Sequence, residues 1–165
     1  MRPAPEKLFD EHHRAVFGFI YRLTRREDLA EDLTQESFLA YMRSPERFDH
    51  RRGSVKTYLF AIARNLVLKQ YRDHRAEAPL EEDRLQEADR NFDTALSIAV
   101  ELAIAALPHL QQEALILFTY EGFTLEEIAS VTGSEVGTVK SRLHRARENL
   151  KRSLAPYKPV GEPHV

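Results

Sequence analysis

The chain has 165 residues, which suits one domain or two small ones. Its net charge of −2 means that any contact with nucleic acid must come from local basic patches, and the absence of cysteine excludes disulfides and thiolate metal sites. The first residues lack the apolar core of a signal peptide, and no run approaches the roughly 18 apolar residues of a membrane span. Composition therefore predicts a cytoplasmic protein without membrane insertion.

Three stretches with helical periodicity make up the first part of the chain. Residues 6–25 and 28–43 each place apolar side chains on one face of a helix. A third helix follows a polar loop, with Ser54 as its predicted N-cap and an end near Arg72. These stretches predict a helical domain over residues 1–75.

Acidic residues dominate the segment that follows. Between Ala76 and Asp93 they far outnumber the arginines, and large apolar side chains are few. This composition predicts a flexible acidic linker over residues 76–92. At the other end of the chain, the prolines beyond Leu154 predict a loose tail over residues 156–165.

The second part of the chain is also helical by its periodicity. Residues 96–107 are strongly apolar and end before Pro108, and residues 110–120 form another apolar stretch. Together with the segment that follows them, they predict a second helical domain over residues 93–155. The predicted fold class is therefore all-α, with two small helical domains joined by a flexible acidic linker.

Residues 124–150 have the pattern of a helix-turn-helix, which presents one helix to a DNA groove. Thr124 and Glu127 have the spacing of a capping box at the start of a short first helix. Gly133 suits the positive φ of a tight turn, and Ser134 is the predicted N-cap of a longer second helix. The segment therefore predicts a DNA-binding unit.

The longer helix has an apolar stripe and a basic opposite face. At about 100° per residue, its outward half contains Lys140, Ser141, His144 and Arg145. Arg142 and Arg147 lie on the flanks, where they would reach phosphates. A solvated helix in a bundle is the alternative, but the capped helix and the glycine turn before it favour DNA binding.

The third helix and the loop before it combine cations with aromatic rings, which suits single-stranded nucleic acid. The cations are Lys56, Arg64, Lys69 and Arg72 with Arg51 and Arg52, and the rings are Phe48, Tyr58, Phe60 and Tyr71. Tyr58 and Phe60 are equally compatible with a place in the core. The second helix is acidic from Glu27 to Glu36, which indicates either a solvated face or a docking surface for a basic partner.

Three segments, in this order and spacing, resemble regions two and four of an extracytoplasmic-function sigma factor: DLAEDLTQESFLAYMR, FDHRRGSVKTYLFAIARNLVLKQYR and LPHLQQEALILFTYEGFTLEEIASVTGSEVGTVKSRLHRARENL. The resemblance covers the chain from about Leu8 to Leu154. Members of that family bind core RNA polymerase and direct it to promoters, and they are not themselves enzymes. The resemblance therefore implies core polymerase and promoter DNA as partners.

The resemblance also assigns residues of this chain to surfaces. The segment that docks on the clamp helices of the largest polymerase subunit corresponds to Asp28, Asp32, Gln35, Glu36 and Phe38. The surface that melts the minus-ten element and holds its non-template strand corresponds to Lys56, Tyr58, Phe60, Arg64, Asn65, Lys69 and Arg72. The loop before them corresponds to the pocket for a flipped base. The positions that enter the major groove at the minus-thirty-five element correspond to Lys140, Ser141, His144 and Arg145.

The family further implies three features that the residues alone do not indicate. These are a contact with the flap of the second-largest polymerase subunit, control by an anti-sigma factor, and passage of the linker through the channel later used by RNA.

Three other interpretations are compatible with parts of the sequence. A helix-turn-helix regulator could bind a symmetric operator as a dimer, and a sigma mimic could titrate an anti-sigma factor without a DNA-binding face. An enzyme is the third, but the histidines lack a metal-binding spacing and Glu126-Glu127 belong to a capped helix. The sequence predicts no catalytic site, no cofactor and no metal site.

Overall fold

The computed structural model describes residues 2–75 and 94–157. These two ranges contain seven α-helices and no β-strand, which confirms the all-α prediction. The helices are α1 (Pro5–Thr24), α2 (Glu27–Arg43), α3 (Val55–Arg75), α4 (Thr94–Ala105), α5 (His109–Thr119), α6 (Leu125–Thr132) and α7 (Val136–Ser153). Short 3₁₀ turns follow α2 at Pro45–Arg47 and α7 at Ala155–Tyr157. The predicted linker, residues 76–92, and most of the predicted tail, residues 156–165, lie outside the described residues.

The first domain consists of α1, α2 and α3, with α1 packed against both other helices. The hydroxyl of Tyr71 on α3 donates a hydrogen bond of 2.7 Å to the carbonyl of Leu23 on α1. Ser54 Oγ accepts a hydrogen bond of 3.1 Å from the Thr57 N–H, so the predicted cap of α3 is confirmed. The helix continues past its predicted end near Arg72, because residues 72–75 contain neither glycine nor proline.

The second domain consists of α4 to α7 and contains the helix-turn-helix. Thr124 Oγ1 accepts a hydrogen bond from the Glu127 N–H, and Glu127 Oε1 accepts one from the Thr124 N–H, both at 3.1 Å. This arrangement confirms the capping box. Gly133 follows α6 with a φ of 64°, in the left-handed region that favours glycine. Val139, Leu143 and Ala146 of α7 are buried, which confirms the apolar stripe.

The start of α7 differs from the prediction. Its N-cap is Glu135, so the assignment of Ser134 as the cap was wrong. Ser134 Oγ instead accepts a hydrogen bond of 2.8 Å from Arg142 Nη1 and lies 3.1 Å from Thr132 Oγ1. The Ser134 hydroxyl therefore links α7 to the turn before it. This contact joins residues that are two helical turns apart in sequence, which a capping rule does not predict.

The two domains are in direct contact, with α3 packed against α6 and α1 against α5. The fully buried ring of Phe60 lies 5.2 Å from the ring of Phe19 in its own domain and 4.9 Å from that of Phe123 in the second domain, measured between centroids. The buried apolar side chains of the two domains consequently form one continuous cluster. The helical periodicity of the sequence did not predict this contact.

Replacement of Thr124 by alanine removes the side-chain acceptor of the capping box. We expect the free energy of unfolding to fall by about 0.5–2 kcal/mol, because one N–H at the start of α6 loses its partner. Thr124→Ser keeps the hydroxyl and is the matched control. Urea denaturation is the measurement, and equal midpoints for the wild type and both variants would contradict the stabilising role of this cap.

Candidate nucleic-acid interface

Helix α7 turns a polar and basic face to solvent. All four residues expected to enter a DNA groove are exposed on it: Lys140, Ser141, His144 and Arg145. Ser141 Oγ donates a hydrogen bond of 3.1 Å to the carbonyl of Gly137, one turn earlier in the same helix. Because Val139, Leu143 and Ala146 fix the opposite face in the core, these four side chains share one accessible surface.

The two flanking arginines of α7 already have partners within the second domain. Arg142 is half-buried and donates to Ser134 Oγ through Nη1, which leaves the other N–H groups of its guanidinium available for a phosphate. Arg147 is exposed, with its guanidinium carbon 5.3 Å from the centroid of the Phe118 ring. Stacking on a ring leaves the N–H edges of a guanidinium available, so Arg147 also remains free to bind phosphate.

The seven residues expected at the minus-ten element divide between two sides of α3. At about 100° per residue, Tyr58, Asn65, Lys69 and Arg72 fall within one arc, and Lys56, Phe60 and Arg64 fall within another. On the first side Asn65, Lys69 and Arg72 are exposed. The structure therefore brings together four of the seven on an accessible surface and turns the other three towards the second domain.

The loop before α3 lies against the accessible side of that helix. The half-buried Tyr58 ring is 5.5 Å from the Phe48 ring and 6.2 Å from the Tyr41 ring, between centroids. An open cleft of about 550 Å³ borders this cluster, lined by Arg2, Glu46, Phe48, Asp49, His50 and Arg51. Asp49 accepts hydrogen bonds of 3.0 and 3.1 Å from the Arg51 guanidinium, which hold the pKa of its carboxyl below the ordinary value.

The other side of α3 is covered by the second domain. Phe60 is fully buried against Phe123, and Lys56 Nζ lies 5.0 Å from the centroid of the same Phe123 ring. Arg64 binds Glu113 of α5 through two hydrogen bonds, Nε to Oε2 at 2.8 Å and Nη2 to Oε1 at 3.0 Å. In this arrangement Lys56, Phe60 and Arg64 contact protein rather than nucleic acid, and the buried ring of Phe60 corresponds to the core alternative.

Glu113 is a carboxylate without solvent contact. Its side chain is 0% exposed, and its Oε2 lies 3.5 Å from His109 Nε2 as well as 2.8 Å from Arg64 Nε. Burial opposes ionisation, but the neighbouring His109 ring and Arg64 guanidinium outweigh it and hold the pKa of Glu113 below its ordinary value. Glu113 is thus a buried anion that binds the cation of the first domain.

Helix α2 carries the residues expected to dock on polymerase. Asp28, Asp32 and Gln35 are exposed on one side, and the half-buried Glu36 accepts a hydrogen bond of 3.0 Å from Arg43 Nη1. The backbone N–H of Leu29 and the Arg26 side chain hold the pKa of the Asp28 carboxyl below its ordinary value. These charges lie on the surface, where a basic partner can reach them.

Phe38, the fifth residue of that docking set, has a different position. Its side chain is 4% exposed and meets the Phe9 ring edge-on at a centroid distance of 5.0 Å. In this structure Phe38 supports the packing of α2 on α1 and presents no docking surface. Its place on the inward stripe of an amphipathic helix, next to the buried Ser37, is the physical reason.

Two residues that sequence reasoning passed over extend the docking side of α2. Leu39 is 41% exposed and Met42 is 44% exposed, both large proportions for apolar side chains. At about 100° per residue, Asp28, Asp32, Gln35, Leu39 and Met42 fall on one side of the helix. Their steps of three and four were the signal that could have revealed them. The surface is therefore acidic at its start and apolar at its end.

Among residues 2–75 and 94–157, no helix combines the length and the apolar character needed to cross a membrane. Within the same ranges, no group of three or more histidine, aspartate or glutamate side chains is arranged to hold a metal ion.

Comparison with known proteins identifies both domains. Residues 8–77 match the family described as Sigma-70 region 2, and residues 97–150 match the family described as Sigma-70, region 4. The chain is 34% identical over 155 residues to the ECF RNA polymerase sigma factor SigM of Mycobacterium tuberculosis, with 93% of this chain and 78% of that protein covered. The chain belongs to the ECF RNA polymerase sigma factors.

Two further similarities extend this result. The sigma factor is 34% identical over 164 residues to SigE of Mycolicibacterium smegmatis; the match covers 94% of this chain but 63% of SigE, so the chain spans less than two thirds of that relative. It also resembles the crystal structure of the sigma factor RpoE in complex with the anti-sigma factor NepR from Bartonella quintana. That likeness has a TM-score of 0.78 and 27% identity, and it covers 91% of this chain and 96% of RpoE.

The boundaries of the two family matches show which regions the contact between the domains joins. The region 2 match begins within α1 and includes α2 and α3, and the region 4 match begins within α4 and ends within α7. The contact of Phe60 with Phe123 and the pairing of Arg64 with Glu113 therefore join region 2 to region 4 of one sigma factor.

Proposed function

We propose that this sigma factor binds core RNA polymerase through α2 and directs it to promoters through α3 and α7. The polymerase performs the chemistry, so the sigma factor itself acts without a catalytic site. The observation that carries the proposal is a region 2 match followed by a region 4 match, with the helix-turn-helix face of α7 open to solvent. An operator-binding dimer, by contrast, would give the region 2 match no role.

The proposed roles in promoter recognition are divided between the two domains. Residues 1–75 dock on polymerase and hold the melted minus-ten element, and residues 93–155 bind the minus-thirty-five element. Residues 76–92 act as the linker between them, and residues 156–165 as a tail. The exposure of polar and basic side chains supports the contact surface that is proposed for each domain.

At the minus-thirty-five element, α7 lies in the major groove with its second and third turns towards the bases. Lys140 and Arg145 supply charge-assisted donors, for which guanine edges and phosphates are the matching acceptors. Ser141 and His144 supply shorter polar groups between them. Support comes from the common exposure of the four side chains and from the burial of the opposite stripe.

Replacement of Arg145 by alanine tests this assignment. We expect promoter-dependent initiation to fall about 5- to 150-fold, because one good contact to a base edge contributes about 1–3 kcal/mol. Binding to core polymerase stays at the wild-type level, since α2 is untouched; Lys140→Ala has the same pattern. Arg152→Ala, an exposed arginine in the last turn of α7, is the matched control. Equal losses in Arg145→Ala and Arg152→Ala would contradict a specific role for the second and third turns.

At the minus-ten element, the accessible side of α3 holds the non-template strand. Lys69 and Arg72 bind phosphates there, Asn65 bonds to a base edge, and the Tyr58 ring together with the cleft at Phe48 receives an unstacked base. The support is the short distance between the two rings and the exposure of the three polar side chains. Lys56, Phe60 and Arg64 lie on the other side of α3 and become accessible to DNA only when the second domain moves away.

On polymerase, α2 docks with an acidic and an apolar part. Asp28, Asp32 and Gln35 face the basic clamp helices of the largest subunit, and Leu39 and Met42 fill an apolar depression beside them. A typical protein interface has an apolar centre that loses its water on binding and a polar rim. The exposure of both apolar side chains supports this arrangement.

The Leu39→Ala variant tests the apolar part. We expect its affinity for a polymerase fragment that carries the clamp helices to fall at least about fivefold, because each CH₂ group that is buried on binding contributes about 0.8 kcal/mol. Leu110→Ala is the matched control, since Leu110 is 43% exposed but lies on α5 in the other domain. Calorimetric titration is the measurement. Unchanged affinity for Leu39→Ala would remove this residue from the docking surface.

The remaining partners follow from the family. RpoE, whose solved structure this chain resembles, is bound to the anti-sigma factor NepR. We infer that an anti-sigma factor also controls this chain, and that a second contact with polymerase involves the flap of the second-largest subunit. The site of action is the cytoplasm, where bacterial RNA polymerase transcribes the chromosome.

Runoff transcription with purified core polymerase and fragmented genomic DNA tests the function as a whole. Addition of the full chain is expected to yield transcripts with defined start sites, each preceded by common sequence elements at both promoter positions. Core polymerase alone is the control. The same transcripts with and without the chain would reject the proposed function.

A further inference from the structure

The cleft that borders Phe48 has both paired and unpaired charges in its lining. Asp49 Oδ1 accepts hydrogen bonds of 3.0 Å from the backbone N–H and from Nε of Arg51, and Asp49 Oδ2 accepts one of 3.1 Å from Arg51 Nη2. The carboxylate and the guanidinium therefore compensate each other's charge. Arg2 and Glu46 line the same cleft, and their side chains make no hydrogen bond or ion pair within the part of the chain that the structure describes.

The charge of Arg2 determines whether this cleft can accept an anion. Without it, the charged side chains of the lining would be the carboxylates of Glu46 and Asp49 and the guanidinium of Arg51, and His50 counts as neutral at pH 7. That set is negative overall and would repel a phosphate. Arg2 brings the lining to neutrality. Because its N–H groups have no partner among the described residues, it can donate two parallel hydrogen bonds to phosphate oxygens.

The backbone around Arg2 is restricted before any ligand binds. Proline follows it directly at position 3 and again at position 5, and a residue before a proline favours extended conformations. Ala4, between the two prolines, has a φ of −61° and a ψ of 138°, and its carbonyl accepts a hydrogen bond of 3.0 Å from the Leu8 N–H in α1. Less conformational entropy is therefore lost when Arg2 binds a ligand.

Arg2 lies outside the residues that match region 2, which are 8–77. The roles proposed above for the minus-ten surface belong to α3 and to the cleft, and they leave Arg2 without a function. We propose that Arg2 binds the phosphate of the unstacked nucleotide whose base enters this cleft, and so holds that nucleotide out of the base stack. This inference rests on the proposed function, because it takes the cleft as the site for an unstacked base.

Binding of single-stranded DNA to the complex of core polymerase and the full chain tests this assignment. The probes are a mixed-sequence oligonucleotide of 12 nucleotides, which contains all four bases, and an oligothymidylate of the same length. Fluorescence anisotropy of labelled probes gives the dissociation constants. Arg2→Ala is expected to weaken the binding of both probes about two- to fivefold at about 50 mM salt, because a contact with a phosphate is independent of the base.

The salt dependence distinguishes a contact with a phosphate from other contacts. Each phosphate that is neutralised on a single strand contributes about 0.7 to the slope of log affinity against log salt concentration. Between about 50 and 200 mM salt, the affinity of Arg2→Ala should therefore fall about 2.6-fold less than that of the wild type. Arg2→Lys keeps the charge and should retain the wild-type slope.

Arg14→Ala is the matched control. It removes an equal charge from an exposed position on α1 that does not line the cleft, and it should bind both probes as the wild type does. Folding of Arg2→Ala should be unaffected, since Arg2 precedes α1 and its side chain has no partner among the described residues. Circular dichroism of the variants checks this expectation.

Glu46 provides a second test, because neutralisation of this carboxylate is the alternative way in which Arg2 would favour DNA. Comparison of Arg2→Ala in the wild type and in the Glu46→Gln background separates the two effects. A direct contact with phosphate weakens binding by a similar factor in both backgrounds. Disappearance of the effect in the Glu46→Gln background would overturn the inference.

Two further results would overturn the inference alone. One is equal affinity of the wild type and Arg2→Ala for both probes, and the other is a loss confined to the mixed-sequence probe, which would indicate contact with a base edge. The wild-type chain separates these results from a failure of the proposed function. If it does not raise the affinity of core polymerase for either probe, the proposed binding of the non-template strand is rejected, and this inference with it.

Discussion

The ion pair of Arg64 and Glu113 is the interaction on which the observed arrangement of the molecule depends. A buried pair loses much of its Coulombic gain to desolvation, and removal of one partner costs about 3–5 kcal/mol because it leaves a lone charge in the interior. Separation of the two domains avoids that penalty, since both groups return to water together. The pair therefore fixes how the domains meet without making their contact permanent, which suits the proposed binding of the two domains to distant parts of a promoter.

The sequence predicted those features that nearby residues determine. Apolar steps of three and four identified the helices, and the spacing of Thr124 and Glu127 identified the capping box. The exposed face of α7 could be predicted because Val139 and Leu143 define its inward direction within a few turns of the same helix. In each case the residues that make the determining contacts lie less than about two helical turns apart, so the periodicity of the sequence can predict these features.

Periodicity could not predict the features that depend on residues far apart in sequence. Phe60 and Arg64 face a domain that begins after the linker, and a helical wheel drawn on α3 alone contains no information about it. The family resemblance assigned Phe38 to a docking surface, although its ring packs inside the first domain. Glu113 gave a signal that could have been used, because a lone carboxylate in the apolar run of α5 requires a buried partner.

The division of α3 into two sides has an evolutionary consequence. Asn65, Lys69 and Arg72 make no contact with the second domain among the interactions of the described residues. With the minus-ten contacts proposed for them, mutations there would shift the preferred DNA sequence while the arrangement of the two domains is retained. Arg64 pairs with Glu113 and belongs to the same proposed set, so a change there would alter both properties together. New promoter preferences should therefore accumulate on the accessible side of the helix, and divergence on the covered side should require matched changes around Glu113.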